Sequence, residues 1–286
     1  MVSSAAVTPG QHGEAVPSAV RDSRHWLAAA GVVLVAVCLV PPVATLAHQY
    51  VFVESAQFAV FAMVAPALIG LGAPWRFLRL SQAGVPAPAL ATGAPAEAGP
   101  LDRLAASRSQ QRSFLRAAGF LVVFMGVCLV WRLPPVVDAL ARHPLLVAAE
   151  LVTLLPAGIG LWLELVPSPP LAPRLPNPHR AAIAALAMWS TWAVAYALGF
   201  ANHAVFHGYD YAGSGLSAVA DQQITVGLVW AVSALCFVPV VFVTMLAWLK
   251  NNDDPDEELQ RLARDEHQQA VVRGWDHRSR GRRGGS

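Results

Sequence analysis

Residues 223–249 read QITVGLVWAVSALCFVPVVFVTMLAWL and contain no Asp, Glu, Lys or Arg. An α-helix rises about 1.5 Å per residue, so about 20 residues cross the hydrocarbon core of a bilayer. This stretch is long enough to cross. Five more apolar runs precede it: Trp26–Ala47, Val51–Ala73, Ser113–Trp131, Pro144–Val166 and Ala181–Ala201. The first is broken only by Pro41-Pro42. Spans in lipid must be helical, because hydrocarbon cannot satisfy exposed backbone groups. The expected fold is therefore an all-α polytopic transmembrane bundle of about six spans.

Composition agrees. The 286 residues are 55% hydrophobic and 13% charged, about half the charge of a soluble domain. A net charge of +2 gives no reason to expect nucleic acid as a partner. Membrane lipids are the expected surroundings, and the cytoplasmic membrane the expected location. Cys38, Cys128 and Cys236 each lie inside an apolar run with no ligand spacing between them, so they read as small buried residues. Small residues at Ala29, Gly31, Gly70, Gly119, Gly158 and Gly160 suggest close helix packing. Trp26, Trp75, Trp131, Trp162, Trp189, Trp192, Trp230 and Trp248 mostly sit near run ends, as in interfacial belts.

Around this 26–250 membrane domain, the tail 1–25 and the Pro/Ala/Gly-rich loop 74–113 are expected to be disordered or flexible. The charged tail 251–286 contains Asp254-Pro255, a helix-start signal. Basic residues cluster in these three segments and in the 167–180 link. The opposite face holds only Arg132 and Arg142. The positive-inside rule then makes both termini cytoplasmic, with 48–52, 132–143 and 202–219 at the outer face.

That orientation sends His48, His143, His203 and His207 to the outer face. His203 and His207 are spaced i, i+4, so both would share one face if the fifth helix ran past Asn202. With His48 or His143 they would make a copper or zinc site. The alternative is that they are polar anchors beside Tyr209 and Tyr211. Ionisable groups inside spans are costly and often functional. Glu150 lies within the fourth run, Glu54 and Gln57 near the outer end of the second, and Asp221, Gln222 and Gln223 open the sixth. Glu54 and Asp221 could equally be solvated at headgroup level, Asp221 could cap the sixth helix, and Glu150 could bond a neighbouring helix. No phosphate loop, GxSxG or HExxH occurs, and no nucleophile–base pair is visible, so an enzyme is not expected.

Three segments together resemble the CtaG-type bacterial cytochrome c oxidase assembly factors: ESAQFAVFAMVAPALIGLGAP (54–74), HPLLVAAELVTLLPAGIGLW (143–162) and GLSAVADQQITVGLVW (215–230). Gln57, Met63, Glu150, Asp221, Gln222 and Gln223 match the family pattern. The resemblance implies a multi-pass membrane protein serving haem-copper oxidase maturation, with oxidase subunits as partners and copper as the implied metal. The family pattern has two i, i+4 histidine pairs. Glu54, Phe58, Val147 and Leu151 occupy those positions here, and the family pattern also sets one more helix before the first. Two expectations follow: copper handled at the outer face by His203, His207, His48 and His143, or a scaffold that holds no metal. A small-molecule or ion transporter using Glu150 is the alternative from another class.

Overall fold

The computed structural model describes residues 24–76, 113–168, 171, 173, 175–201, 203–211 and 215–252. The elements are α1 (His25–Leu39), α2 (Val43–Ala47), α3 (Val51–Gly72), α4 (Ser113–Trp131), α5 (Pro134–Arg142), α6 (Leu145–Leu165), α7 (Asn177–Gly199) and α8 (Ala218–Asn252). Among the described residues there is no strand, only an isolated bridge between Ser168 and Leu171. Residues 77–112 of the expected flexible loop, both tails and the Asp254-Pro255 signal lie outside the described residues.

Five helices, α3, α4, α6, α7 and α8, are each long and apolar enough to cross a membrane. The first run is not one helix. Two consecutive prolines cannot donate backbone bonds to the preceding turn, so α1 ends at Leu39 and α2 resumes at Val43. Together α1 and α2 still run antiparallel beside α3. Gly72, at the end of α3, lies so close to Ala28 that an added Cβ would sit 2.4 Å from the Ala28 nitrogen. A short turn at 48–50 joins α2 to the start of α3 at the other end.

The bundle is built around α3. Of its span, 67% is buried, against 17% for α8 and 22% for α4, whose other faces are exposed and apolar. Phe58, Phe61, Met63, Phe124, Leu154, Leu161 and Phe237 form the core around it. Trp162 also belongs there rather than to an interfacial belt: it is 2% exposed and stacks on Phe237 at 5.4 Å. Pro66 removes one helical bond from α3, and the preceding turn widens to a π-turn over Val60–Val64. Gly158 of α6 fits against this turn. A Cβ there would lie 2.5 Å from both the Ala62 carbonyl and Pro66. Gly158→Val is therefore expected to lower the unfolding temperature in detergent, with a cost of about 1–3 kcal/mol from overpacking. An unfolding temperature equal to wild type would show that this contact is slack. Gly119, by contrast, faces open space and mediates no close packing.

Polar ties fasten each end. At one end Arg116 of α4 holds Glu164 of α6 through two bonds of 2.8 and 3.0 Å, and Arg180 of α7 donates to the Leu165 carbonyl at the end of α6. Ser168 Oγ donates to the Gly70 carbonyl there. The other, loop end is formed by residues 48–50, 132–143, 200–201 and 203–211. It carries the larger polar cluster.

Candidate functional site

The first turn of α3 begins at Tyr50, which makes no side-chain cap of its own. Its free amides are met from 170 residues away. Asp221 Oδ2 accepts from Val51 N–H at 2.7 Å and Oδ1 from Phe52 N–H at 2.8 Å. A carboxylate at a helix N-terminus also complements the helix dipole. Tyr211 donates its hydroxyl to the same carboxylate at 2.8 Å. Burial and the Asp221 carboxylate push the Tyr211 phenol above its ordinary range, which keeps it a donor. Asp221 does not cap its own helix. Ser217 does so for α8, accepting from Ala220 N–H at 3.1 Å.

One turn further along α3, Glu54 is buried and pairs with Arg132, which follows α4. Ser55 completes the contact: Arg132 Nη1 donates to its hydroxyl at 2.7 Å, and that hydroxyl donates to Glu54 at 3.2 Å. The guanidinium lies 4.1 Å from the Phe58 ring centroid, a cation–π arrangement. Gln57 turns the other way and donates to the Cys38 carbonyl at 2.5 Å, where α1 ends. Glu150 of α6 is wholly buried, within electrostatic reach of Glu54 and Arg132. Neither of its carboxyl oxygens has a hydrogen-bond partner, and the same is true of Arg132 Nε and the Tyr209 hydroxyl. Glu54 and Asp221 are not headgroup-solvated, being 3% and 0% exposed. The Glu150 carboxyl thus lies near the Glu54–Arg132 pair inside the bundle without bonding to it.

Around this pair the 203–211 loop is fixed by side chains. Asp138 of α5 accepts from His207 N–H and Gly208 N–H, both at 2.8 Å. Gly208 lies against Asp138 so closely that a Cβ would come 2.7 Å from its carbonyl oxygen. Gln222 accepts from Val205 N–H at 2.8 Å and donates to the Leu198 carbonyl at 2.9 Å. Beneath the loop Val51, Val137, Phe206 and Tyr209 form a small apolar cluster.

Of the residues singled out in the sequence, Glu54, Gln57, Glu150, Asp221 and Gln222 are buried at this end. Met63 lies deeper, in the core of α3. Gln223 is exposed and donates to the Gly199 carbonyl at 3.1 Å. The histidines do not share a helix face. The helix α7 stops at Gly199, where the side chains of Gln222 and Gln223 donate to the Leu198 and Gly199 carbonyls, and beyond it the amides of 205, 207 and 208 bond to Gln222 and Asp138 instead of to carbonyls four residues back. His143, His203 and His207 are exposed and His48 is half-buried. Among the described residues no three His, Cys, Asp or Glu side chains come together to hold a metal. Phe58, Val147 and Leu151 instead pack in or against the apolar core.

Sequence reasoning missed Arg132 as a site residue, and Asp138 and the Tyr209 hydroxyl with it. The one available signal for Arg132 was its place as one of two arginines on the face otherwise poor in basic residues.

The three segments quoted above meet here: 54–74 supplies α3, 143–162 supplies most of α6, and 215–230 opens α8. The profile of the cytochrome c oxidase caa3 assembly factors (Caa3_CtaG) matches residues 6–251. No curated protein and no solved structure matches the chain. The match takes in every described helix almost to the end of α8, so this membrane protein belongs to the cytochrome c oxidase caa3 assembly factor family.

Proposed function

We propose that this assembly factor works at the outer face of the bacterial cytoplasmic membrane as a docking platform for an oxidase subunit, without catalysis of its own. The observation that supports it is the wiring of the 203–211 loop. Asp138 of α5 and Asp221 and Gln222 of α8 tie that loop to two helices over the buried Glu54–Arg132 pair. A surface held in one shape loses less entropy on binding a partner than a mobile loop does. His203 and His207 stand exposed on the same loop, and this favours a second reading, in which they pass copper to the docked subunit with His48 or His143.

The test is a deletion strain complemented with wild type or with His203→Ala/His207→Ala, read by assembled oxidase and its copper occupancy. Full oxidase with the double mutant supports the platform. Assembled but copper-poor oxidase, with copper bound to the purified wild-type chain and lost from the double mutant, supports copper transfer. Unchanged oxidase in the deletion strain rejects both.

A further inference from the structure

Glu150 lies about one and a half turns inside α6. It is wholly buried, and neither carboxyl oxygen takes part in a hydrogen bond. The groups that act on it come from three directions. α3 supplies Glu54, the end of α4 supplies Cys128 and Arg132, and the 203–211 loop supplies Tyr209. The remaining elements direct their polar groups elsewhere. On α5, Asp138 holds the loop amides and Arg142 is exposed. On α8, Asp221 holds the α3 amides and the Tyr211 hydroxyl. The outer half of α7 has one titratable side chain, Tyr196, which is exposed. Glu164, the other acid of α6, pairs with Arg116 at the opposite end of the helix.

Charge balance decides the state of this group. Two carboxyls beside one guanidinium leave a net negative charge if all three are ionised. The Arg132 guanidinium bonds to Glu54 and Ser55, and none of its nitrogens bonds to Glu150. An ionised carboxyl shut inside a bundle with no donor costs far more than a neutral one. One proton restores neutrality. Glu54 is the wrong place for it, because Glu54 accepts from both Arg132 and Ser55, and such donors stabilise a carboxylate. Glu150 has no donor to lose.

We propose that Glu54, Arg132 and Glu150 form a one-proton site, with the proton on the Glu150 carboxyl and the Arg132 charge balanced by Glu54. The proton comes from water when the loop end closes and returns to water when it opens, leaving a Glu150 carboxylate. The site makes the fold sensitive to pH. An unfolded glutamate is ionised above about pH 4.3. Folding at neutral pH therefore takes up one proton. Stability then falls as pH rises, by about tenfold in the unfolding constant per pH unit, and this dependence disappears below the unfolded value.

Infrared spectra of the full-length protein in detergent at neutral pH read the proton directly, because a protonated carboxyl has a carbonyl stretch that a carboxylate lacks. Wild type is expected to show this band and Glu150→Gln to lose it. Glu54→Gln should lose it too, although Glu150 is intact there, since Glu150 then ionises to balance Arg132. A group that only filled space would not respond to the Glu54 change. Gln has nearly the shape of a protonated Glu, so Glu150→Gln keeps the packing and serves for the second measurement. The ratio of the wild-type to the Glu150→Gln unfolding constant should rise about tenfold per pH unit between about pH 6 and about pH 8. Wild type without the band overturns the proposal. So does a band of undiminished size in Glu150→Gln or in Glu54→Gln, or a ratio of unfolding constants that stays flat with pH.

Discussion

Arg132→Met is expected to destabilise the protein by about 3–5 kcal/mol, the usual cost of stripping one partner from a buried ion pair. The guanidinium pairs with Glu54, donates to Ser55 and lies on the Phe58 ring. Its removal leaves Glu54 and the already unpartnered Glu150 with no cation between them. Glu54→Gln should cost less, because Arg132 then still has Glu150 within reach. Replacing all three together, as Glu54→Gln/Arg132→Met/Glu150→Gln, should recover most of the loss, since neutral or apolar replacements of a complete buried pair are often tolerated. Thermal unfolding of the purified variants in one detergent measures the series. If Arg132→Met unfolds with wild type, the pair does not hold the loop end. If the triple variant is worse than the single, the charges do more than balance one another.

The second large effect is expected at Asp221. Asp221→Ala removes the acceptor of two α3 amides and of the Tyr211 hydroxyl. A lost hydrogen bond to a charged group is worth about 1.5–3 kcal/mol, and a lost helix cap about 1 kcal/mol. Allowing for water reaching some of the freed groups, the whole change is about 3 kcal/mol. Asp221→Asn retains one side-chain acceptor and should lose about half as much. Hydrogen exchange would localise the effect: Val51 and Phe52 amides should lose protection in Asp221→Ala while amides in the middle of α6 keep theirs. Uniform loss across the bundle would mean that Asp221 supports the whole fold rather than the start of α3.

The spans were legible because burial in lipid acts on each helix separately, so long uncharged runs reveal themselves one at a time. The break of the first run was also legible, as two prolines. Pairings between spans were not. Arg132 counted only as an exception to the charge bias, since nothing local indicates that its partner stands 78 residues earlier. Asp221 looked like a cap for the helix that carries it, because side-chain capping is usually local, yet it caps α3. The i, i+4 spacing of His203 and His207 implied a shared helix face. Helical spacing has meaning only where a helix continues, and Asp138 and Gln222 take the amides that continuation would need. Trp162 looked interfacial by its place near a run end, but the partner that buries it, Phe237, comes from the last helix.

The cap that Asp221 gives to α3 also sets a schedule. A ribosome adding about 5–20 residues per second needs roughly 10–30 s to travel the 170 residues between Val51 and Asp221. For that interval the central helix of the bundle has been made and its first amides still lack their acceptor. The centre is synthesised early and its fastening late. A chain that stops short of residue 221, however many spans it has inserted, lacks the group that closes its loop end.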